Sequence, residues 1–330
     1  MISRRPGLIP LLLIALAGPS ISAEDFLAAL PVLPKPKPQP AIPAEAGELL
    51  APGVTVIRGK ALRLTGRINL DQGPTDGMEV LVCLREGKTH EALIRLEATS
   101  GVTVKAGLLA AFGPPDGQPA PEGKGQPARG VPVQVTVEWL DRPGYRVQVA
   151  ASNLVRDRVT DCPFPALPWV VTGSRFETIR FANADGSVQE REQFMLDSTR
   201  SVAVNFDEPD ALLASPFPIA NNDQRFEANS ALCPLAGTEV VVTVAPCPLP
   251  LTLDLDANGQ LLHETKPLDD AGLGALLAQH YGTTASPLVR AVGVRVDADL
   301  PHRIDVAARS QILTAAAAAK AWVVPVFQLR

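Results

Sequence analysis

The chain has no excess of basic residues, because 30 Lys and Arg stand against 35 Asp and Glu, a formal net charge of −5. A basic face that could follow a phosphate backbone is not expected, which argues against nucleic acid as a partner. Aromatic residues are scarce at 5%, whereas proline is abundant at 32 of 330 residues. A chain that is 46% hydrophobic is too apolar to be disordered throughout, so the prolines indicate a linker and many loops. The length predicts about two domains.

Several motifs of catalysis and of metal or phosphate binding are missing. No glycine-rich phosphate loop is present, and Ser174 lacks the glycines two residues before and two residues after it that a nucleophile elbow needs. His90-Glu91 could begin a zinc-protease motif, but Ile94 occupies the place of the second histidine. No two cysteines have the spacing of a zinc-ligand pair. We therefore predict no catalytic residue, no metal and no cofactor.

The N-terminus has the layout of a secretory signal. Basic residues at Arg4 and Arg5 precede an apolar core at 8–17, and a run of mostly small residues ends at Ala23. The core is too short for an ordinary spanning helix and contains Pro10. We predict a signal peptide at 1–23 and export to the periplasm or cell envelope. The alternative is an uncleaved segment that anchors the protein in the membrane. Because no cysteine lies near the cleavage site, a lipid anchor is not indicated.

Export permits disulfides among Cys83, Cys162, Cys233 and Cys247, for which three connectivities exist. Cys233 and Cys247 flank a strand-like run at 239–244, which makes a local bridge between them plausible. Cys83 lies within an apolar run, so it can equally be a small buried hydrophobe.

Residues 24–53 form a proline-rich spacer by composition. Prolines at alternate positions within 28–43 favour extended, polyproline-like geometry and remove the donors that a sheet needs. A docking site for a proline-reading module is the alternative interpretation.

A β-rich domain is predicted at 54–246. Short alternating runs predict its strands, and 131–139 and 145–150 form a hairpin through the Asp141–Gly144 turn. Asp185-Gly186 marks a second hairpin turn. A helix is predicted at 102–112, closed by Gly113 and two prolines.

The proline-dense run at 246–250 separates a second domain, 250–330, in the order strand, strand, helix, strand, helix, strand. The crossovers predict parallel, right-handed connections. Pro325 predicts that the last strand is an edge strand or contains a bulge. Asp254–Gly259 starts like a calcium loop, but Thr265 replaces the required twelfth-position glutamate, so a hairpin is favoured. The predicted fold class is α+β: a β-rich N-terminal domain followed by a small two-layer ββαβαβ domain.

The densest cluster of reactive side chains lies at 87–96. If this stretch is a strand, His90 points with Ala92 and Ile94 to the apolar face, while Glu91 points to the other face. The two side chains then cannot converge on one metal, and His90 is a partly buried histidine with one polar partner. Lys88, His90 and Glu91 remain the candidate functional residues.

Residues 54–246 resemble the YdjY-like domain of exported bacterial proteins. The resemblance rests on Glu79–Cys83 leading to Gly87–Glu91, on Leu108–Gly113, and on Trp169–Ser174, with further matches at 207–213, 226–229 and 237–240. It implies an exported domain without an assigned activity, and it adds Trp169, Gly173 and Ser174 to the candidate residues as family-signature positions.

Residues 250–330 look like the periplasmic domain of ExbD/TolR biopolymer-transport proteins. The matching pieces are 253–259, 292–299 and the final helix with Val323–Val326. The resemblance implies a dimerising domain between an inner-membrane motor and the envelope. The motor step of that family needs a membrane helix with an acidic residue, and the only apolar segment here has none, so motor function is not carried over.

These observations favour an exported, non-enzymatic envelope protein. Its C-terminal domain would bind an envelope protein, a peptide or a cell-wall component, with a homodimer through that domain as a further possibility. The alternative is a hydrolase or metal-dependent enzyme centred on His90. A third possibility is a membrane-anchored transport component, which requires that the N-terminal segment be retained.

Overall fold

The computed structural model describes residues 36–41, 45–73, 77–98, 100–113, 117–159, 161, 164, 167–183, 185–216, 222–281, 290–319, 321 and 323–330. The predicted signal peptide, Cys162, Pro31, Pro34 and Pro43 lie outside these residues. Within them, no helix combines the length and the apolar character that crossing a membrane requires.

Strands make up most of the regular structure in the described residues. In chain order the strands are β1 (Gln39–Pro40), β2 (Glu48–Ala51), β3 (Val54–Ile57), β4 (Ala61–Ile68), β5 (Val80–Cys83), β6 (Ala92–Leu96), β7 (Val131–Arg142), β8 (Tyr145–Ala150), β9 (Val155–Asp157), β10 (Trp169–Val171), β11 (Phe176–Ala182), β12 (Val188–Phe194), β13 (Ser201–Val204), β14 (Leu213–Ala214), β15 (Phe226–Ala228), β16 (Glu239–Pro246), β17 (Thr252–Leu255), β18 (Leu261–His263), β19 (Lys266–Pro267), β20 (Arg290–Val296) and β21 (Val323–Leu329). The helices are α1 (Gly101–Phe112), α2 (Leu196–Thr199), α3 (Asp270–Tyr281) and α4 (His302–Ala318), with a 3-10 turn at Ala151–Leu154.

Eight strands close into a barrel in the order β7, β10, β14, β13, β5, β6, β4 and β16, and β16 pairs with β7 again. Most neighbours are antiparallel, while β13 with β14 and β5 with β6 are parallel. The alternation along β7 points Val133, Val135, Val137 and Trp139 into the core, where β16 adds its own valines. Burial of each such side chain contributes roughly 1.5–3 kcal/mol, and the core fills the barrel with side chains.

The C-terminal residues form a five-stranded sheet in the order β19, β18, β17, β20, β21. The predicted parallel pairing is confirmed, since both β17 with β20 and β20 with β21 are parallel. Helices α3 and α4 cover one face through Leu273, Leu277, Ala308 and Ile312. Pro325 lies on β21 at the end of the strand order, as its missing donor predicts.

The predicted fold class is wrong. The molecule is 40% strand and only 19% helix, the first part is a closed eight-stranded barrel, and the whole does not fit a small ββαβαβ domain beside a β-rich one. The alternating pattern identifies strands but does not show whether their sheet is open or closed. The second sheet also has a strand that the sequence does not reveal, the two-residue β19, which is too short to show a period.

A buried ion pair joins the loop before β7 to helix α4. Arg129, with its side chain 1% exposed, donates from Nε to Asp305 Oδ2 at 2.8 Å and from Nη2 to Asp305 Oδ1 at 3.1 Å. Its Nη2 also donates to the carbonyl oxygen of Leu300 at 2.6 Å. The next residue, Gly130, donates its N–H to the Phe327 carbonyl of β21 at 3.0 Å. We call Arg129 and Asp305 with these contacts the Arg129 junction.

Apolar and polar contacts extend the Arg129 junction. Val324 of β21 belongs to the hydrophobic core of the barrel. Arg309 of α4 donates to the Gly125 carbonyl at 2.5 Å, while the Gly125 N–H donates to Asp207 at 2.7 Å. Burial raises the pKa of Asp207 to about 6. The loop that leads into β7 therefore connects the barrel to the C-terminal helix.

Part of the predicted spacer belongs to the sheet. Strand β2 pairs with β3, and β1 pairs with β8, so residues within 39–51 are bonded to the folded body. Strand β1 consists only of Gln39 and Pro40, and proline is tolerated in a short strand at the edge of a sheet.

The plausible Cys233–Cys247 bridge is not formed in the structure, where both thiols are free. Cys247 directly follows β16, and its backbone N–H donates to the Pro132 carbonyl at 3.1 Å. Cys233 donates instead to the Leu154 carbonyl at 3.3 Å. Cys83 is buried inside β5, and burial raises the pKa of its thiol to about 12.

Candidate functional site

Residues 85–91 form a turn rather than a strand. The Gly87 N–H donates to the Leu84 carbonyl at 3.0 Å and the Glu91 N–H to the Lys88 carbonyl at 3.2 Å, so β6 begins only at Ala92. The prediction of a partly buried His90 on a strand is therefore wrong. Its side chain is 81% exposed and lies 4.0 Å from Glu91. The alternation of side chains between the two faces of a strand does not extend to His90, because His90 precedes the first residue of β6.

Lys88 is the residue of this turn that makes the most ionic contacts. Its Nζ lies 3.3 Å from Glu91, 3.5 Å from Glu79 and 3.4 Å from Glu208. Glu79 directly precedes β5, and Glu208 follows β13. We call these four residues the Lys88 cluster. It ties the turn to two barrel strands.

Burial and mutual repulsion set the protonation states of the Lys88 cluster. Burial raises the pKa of Glu79 and of Glu208, and Lys88 lowers both in part. Burial alone would lower the pKa of Lys88, but the three carboxylates outweigh it and raise that pKa to about 12. The amine is therefore protonated at neutral pH. It is not available as a nucleophile or as a base.

Two buried oxygens beside Lys88 lack good partners. Ser201 Oγ and Glu208 Oε1 are buried, and neither has a hydrogen bond of good geometry among the described residues. The hydroxyl lies close enough to lower the pKa of Glu208. Buried polar atoms without a hydrogen-bond partner are found both in functional sites and in strained structural sites.

We expect Lys88→Met to lower the free energy of unfolding by about 1–2 kcal/mol at pH 7, allowing for screening of a side chain that is one-third exposed. Without the ammonium, the pKa values of Glu79 and Glu208 rise further above their ordinary value of 4.5. The folded state then takes up protons more readily than the unfolded state, so stability falls as pH rises above that value and recovers on acidification. Urea unfolding from pH 4 to 8 measures this.

Lys88→Arg is the matched control, since it keeps the charge and should leave the pH profile of stability close to that of the wild type. A Lys88→Met defect of equal size at every pH would show that packing rather than charge accounts for the loss.

The family-signature residues lie on another part of the barrel. Trp169 is 2% exposed at the start of β10, opposite Val133, and acts as a core side chain. Gly173 and Ser174 follow that strand with φ of 80° and 58°, a turn in which Ser174 is in the left-handed region. No hydrogen bond or ion pair joins Ser174 to the Lys88 cluster within the described ranges, and its buried hydroxyl has no partner there. The structure thus brings Lys88 and Glu91 together but not these three residues.

Metal-ligating side chains do not gather in the described part of the chain. Nowhere in it do three or more His, Cys, Asp or Glu side chains form a group that could hold a metal ion. In the Lys88 cluster, the cation beside the three carboxylates is the ammonium group of Lys88.

The β11–β12 hairpin is a second candidate site, which the sequence indicates only as a turn. Its seven residue pairs run from Phe176 opposite Phe194 to Ala182 opposite Val188. Among the described residues neither strand pairs with any other, so both outer edges have free backbone groups. Isolated two-stranded ribbons are only marginally stable, so the base of the hairpin must be anchored.

Lys105 of α1 anchors that base. Its Nζ lies 5.2 Å from the ring centre of Phe176 and 4.8 Å from that of Phe194, and the two rings are 5.0 Å apart. Cation–π contacts of this kind contribute about 0.5–1 kcal/mol each at exposed sites. Next to Phe176 in the chain, Arg175 donates a hydrogen bond from Nε to Asp210 Oδ1 at 2.6 Å.

The hairpin exposes apolar side chains both at its base and along its length. Phe176 is 56%, Phe181 39% and Val188 62% exposed. Charged residues of both signs lie between them, and Arg180 pairs with Glu190 across the strands at 2.8 Å. This combination is typical of a surface that another molecule covers.

Comparison with known proteins does not place the chain in a family. No family model, no curated protein and no solved structure matches it. The resemblances to the YdjY-like domain and to the ExbD/TolR periplasmic domain therefore stay predictions.

Proposed function

We propose that this protein is an exported, non-enzymatic protein of the cell envelope that binds a partner protein or peptide through the β11–β12 hairpin. The observation that carries the proposal is the hairpin itself, with two free edges and exposed Phe176, Phe181 and Val188. Extended peptides add to free strand edges through backbone hydrogen bonds, and side-chain contacts give the specificity.

Export is supported by the residue pattern at 1–23, in which basic residues, an apolar core and small residues follow one another. The resemblance to YdjY-like exported domains supports the same compartment.

A binding rather than a catalytic role is supported by the Lys88 cluster. Lys88 is held protonated by three carboxylates, and His90 is exposed at 4.0 Å from its nearest acid. A nucleophile and base in hydrogen-bond reach would instead favour an enzyme.

The ExbD/TolR-like resemblance implies a partner or a second copy at the C-terminal sheet. We place the partner at the hairpin because the edge strand β21 already accepts a bond from Gly130 at Phe327. The opposite edge, β19, is only two residues long.

Photo-crosslinking in the native cells tests the proposal. A photoreactive amino acid at exposed Gln189 of β12 is expected to give a discrete higher-mass adduct in the envelope fraction. The matched control is the same amino acid at exposed Lys60, between β3 and β4, which should give none. Recovery of the protein in the cytoplasm, or the same adducts from both positions, would contradict the proposed function.

A further inference from the structure

The outer edge of β12 presents an ordered set of charges. Glu190, Arg191 and Glu192 follow one another along an exposed strand, giving the order minus, plus, minus. Glu190 pairs with Arg180, while Glu192 has no ion pair among the residues that the structure describes. The Arg191 guanidinium lies 4.9 Å from the ring centre of Phe181 on the other face.

A strand added to this edge would continue the ribbon. In antiparallel pairing, directly opposite residues share a face and their Cβ atoms are about 4.5–5.5 Å apart. Residues opposite Glu190 and Glu192 would thus meet carboxylates on one face. The residue between them would meet Arg191 on the other face, and a further residue would meet exposed Val188.

From this edge we infer the partner's chemistry, an inference that rests on the proposed function. We propose that β12 binds an extended protein segment with the charge order plus, minus, plus, followed by an apolar residue opposite Val188. Three opposite-charge pairs then form alongside the backbone hydrogen bonds of the added strand.

In every two-fold register centred on the charged triplet, a second copy of this chain would place like charges opposite each other. In a two-fold antiparallel pairing centred on Arg191, Arg191 would face itself and Glu190 would face Glu192. In a two-fold pairing centred on Glu190 or on Glu192, that glutamate would face the same glutamate of the second copy. Like charges directly opposite each other destabilise a strand pair, so the charged triplet disfavours self-association.

The test uses the full chain and a fluorescent peptide, Ile-Thr-Lys-Glu-Lys-Thr-Val, whose order matches the antiparallel register. Fluorescence anisotropy should show saturable binding. The charge-reversed peptide Ile-Thr-Glu-Lys-Glu-Thr-Val should bind at least about tenfold more weakly, since each opposite-charge pair contributes up to a few-fold in affinity. N-methylation of the backbone groups that face β12 should abolish binding.

Charge reversal on the protein provides the reciprocal test. The variant Glu190→Lys, Arg191→Glu and Glu192→Lys should lose affinity for the first peptide and gain it for the reversed one. A control with the same change in net charge is Glu45→Gln with Glu48→Gln, on the exposed region before β3, and it should behave as the wild type. Circular dichroism confirms that each variant folds.

Three outcomes would overturn the inference: no saturable binding, equal binding of both peptides, or binding that survives N-methylation. If the peptides fail while Gln189 still gives its envelope adduct, the charge-order inference falls and the proposed function stands. If both fail, the proposed function falls too.

Discussion

Replacing Arg129 by methionine is expected to lower the free energy of unfolding by about 3–5 kcal/mol, measured by urea unfolding at pH 7. The guanidinium is almost fully buried and bonds both oxygens of Asp305, which is itself 0% exposed. Its removal leaves the Asp305 carboxylate buried without its arginine, beside the His302 ring, whose Nδ1 lies 3.3 Å from Asp305 Oδ2. An uncompensated buried charge costs more than the pair contributed, which is why the loss is large.

Two variants separate this charge effect from a loss of packing. Arg129→Met with Asp305→Leu removes both charges and should recover much of the loss, because no buried charge is left. Arg58→Met breaks an exposed pair with Glu48 and should cost only about 0–1 kcal/mol. A double variant as unstable as Arg129→Met alone would show that the other hydrogen bonds of Arg129 at the junction matter more than the ion pair.

Gly130→Ala is expected to destabilise the protein by about 3 kcal/mol or more. A Cβ at this position would lie 2.0 Å from the Val171 carbonyl oxygen and 3.0 Å from its carbonyl carbon. Those are backbone atoms of β10, which pairs with β7 in the closed barrel, so they cannot move without opening that pairing. The strand shift should also weaken the Gly130 bond to Phe327 and loosen the C-terminal sheet.

Gly144→Ala is the matched control. Gly144 has a φ of 77° in the β7–β8 turn, but a Cβ there meets nothing within 4 Å. Only the cost of the left-handed backbone remains, about 1 kcal/mol. Thermal and urea unfolding compare the two variants, and equal losses would contradict the close approach of Gly130 to β10.

Helices and hairpins whose determining residues lie close together in the sequence could be predicted from it. The predicted helix at 102–112 is confirmed as Gly101–Phe112, where Ser100 accepts from the Thr103 N–H and Gly113 ends the helix at φ 84°. Hairpins with strong turn residues, such as the β7–β8 pair, are confirmed for the same reason. In each case the determining residues lie within a few positions of one another.

Features that depend on distant residues could not be predicted in the same way. Barrel closure requires β16 to pair with both β4 and β7, and no local period encodes that choice. The sequence indicates Lys88 as a candidate, yet its partner Glu208 is 120 residues away, so the Lys88 cluster has no sequence signature. The Arg129 junction joins residues 176 positions apart. An arginine in a proline- and glycine-rich loop gives no sign that it will be buried.

His90 shows how a local pattern can mislead. The alternation at 92–96 is that of a strand, but extending it back to His90 ignores the turn that Gly87 makes possible. The structure buries Ala92, Leu93 and Ile94 in succession, because β6 lies between β5 and β4 with both faces covered.

The most direct test of the central claim is a hairpin truncation. Glu177 and Gln193 are opposite each other, so residues 178–192 can be replaced by Asn-Gly, a dipeptide that closes a two-residue hairpin. We predict that this variant keeps its free energy of unfolding within about 1 kcal/mol, because the anchored base remains. It should no longer compete with the wild-type protein for the envelope partner captured at Gln189. A truncated protein that folds and still competes for that partner would contradict the claim that the hairpin is the binding site.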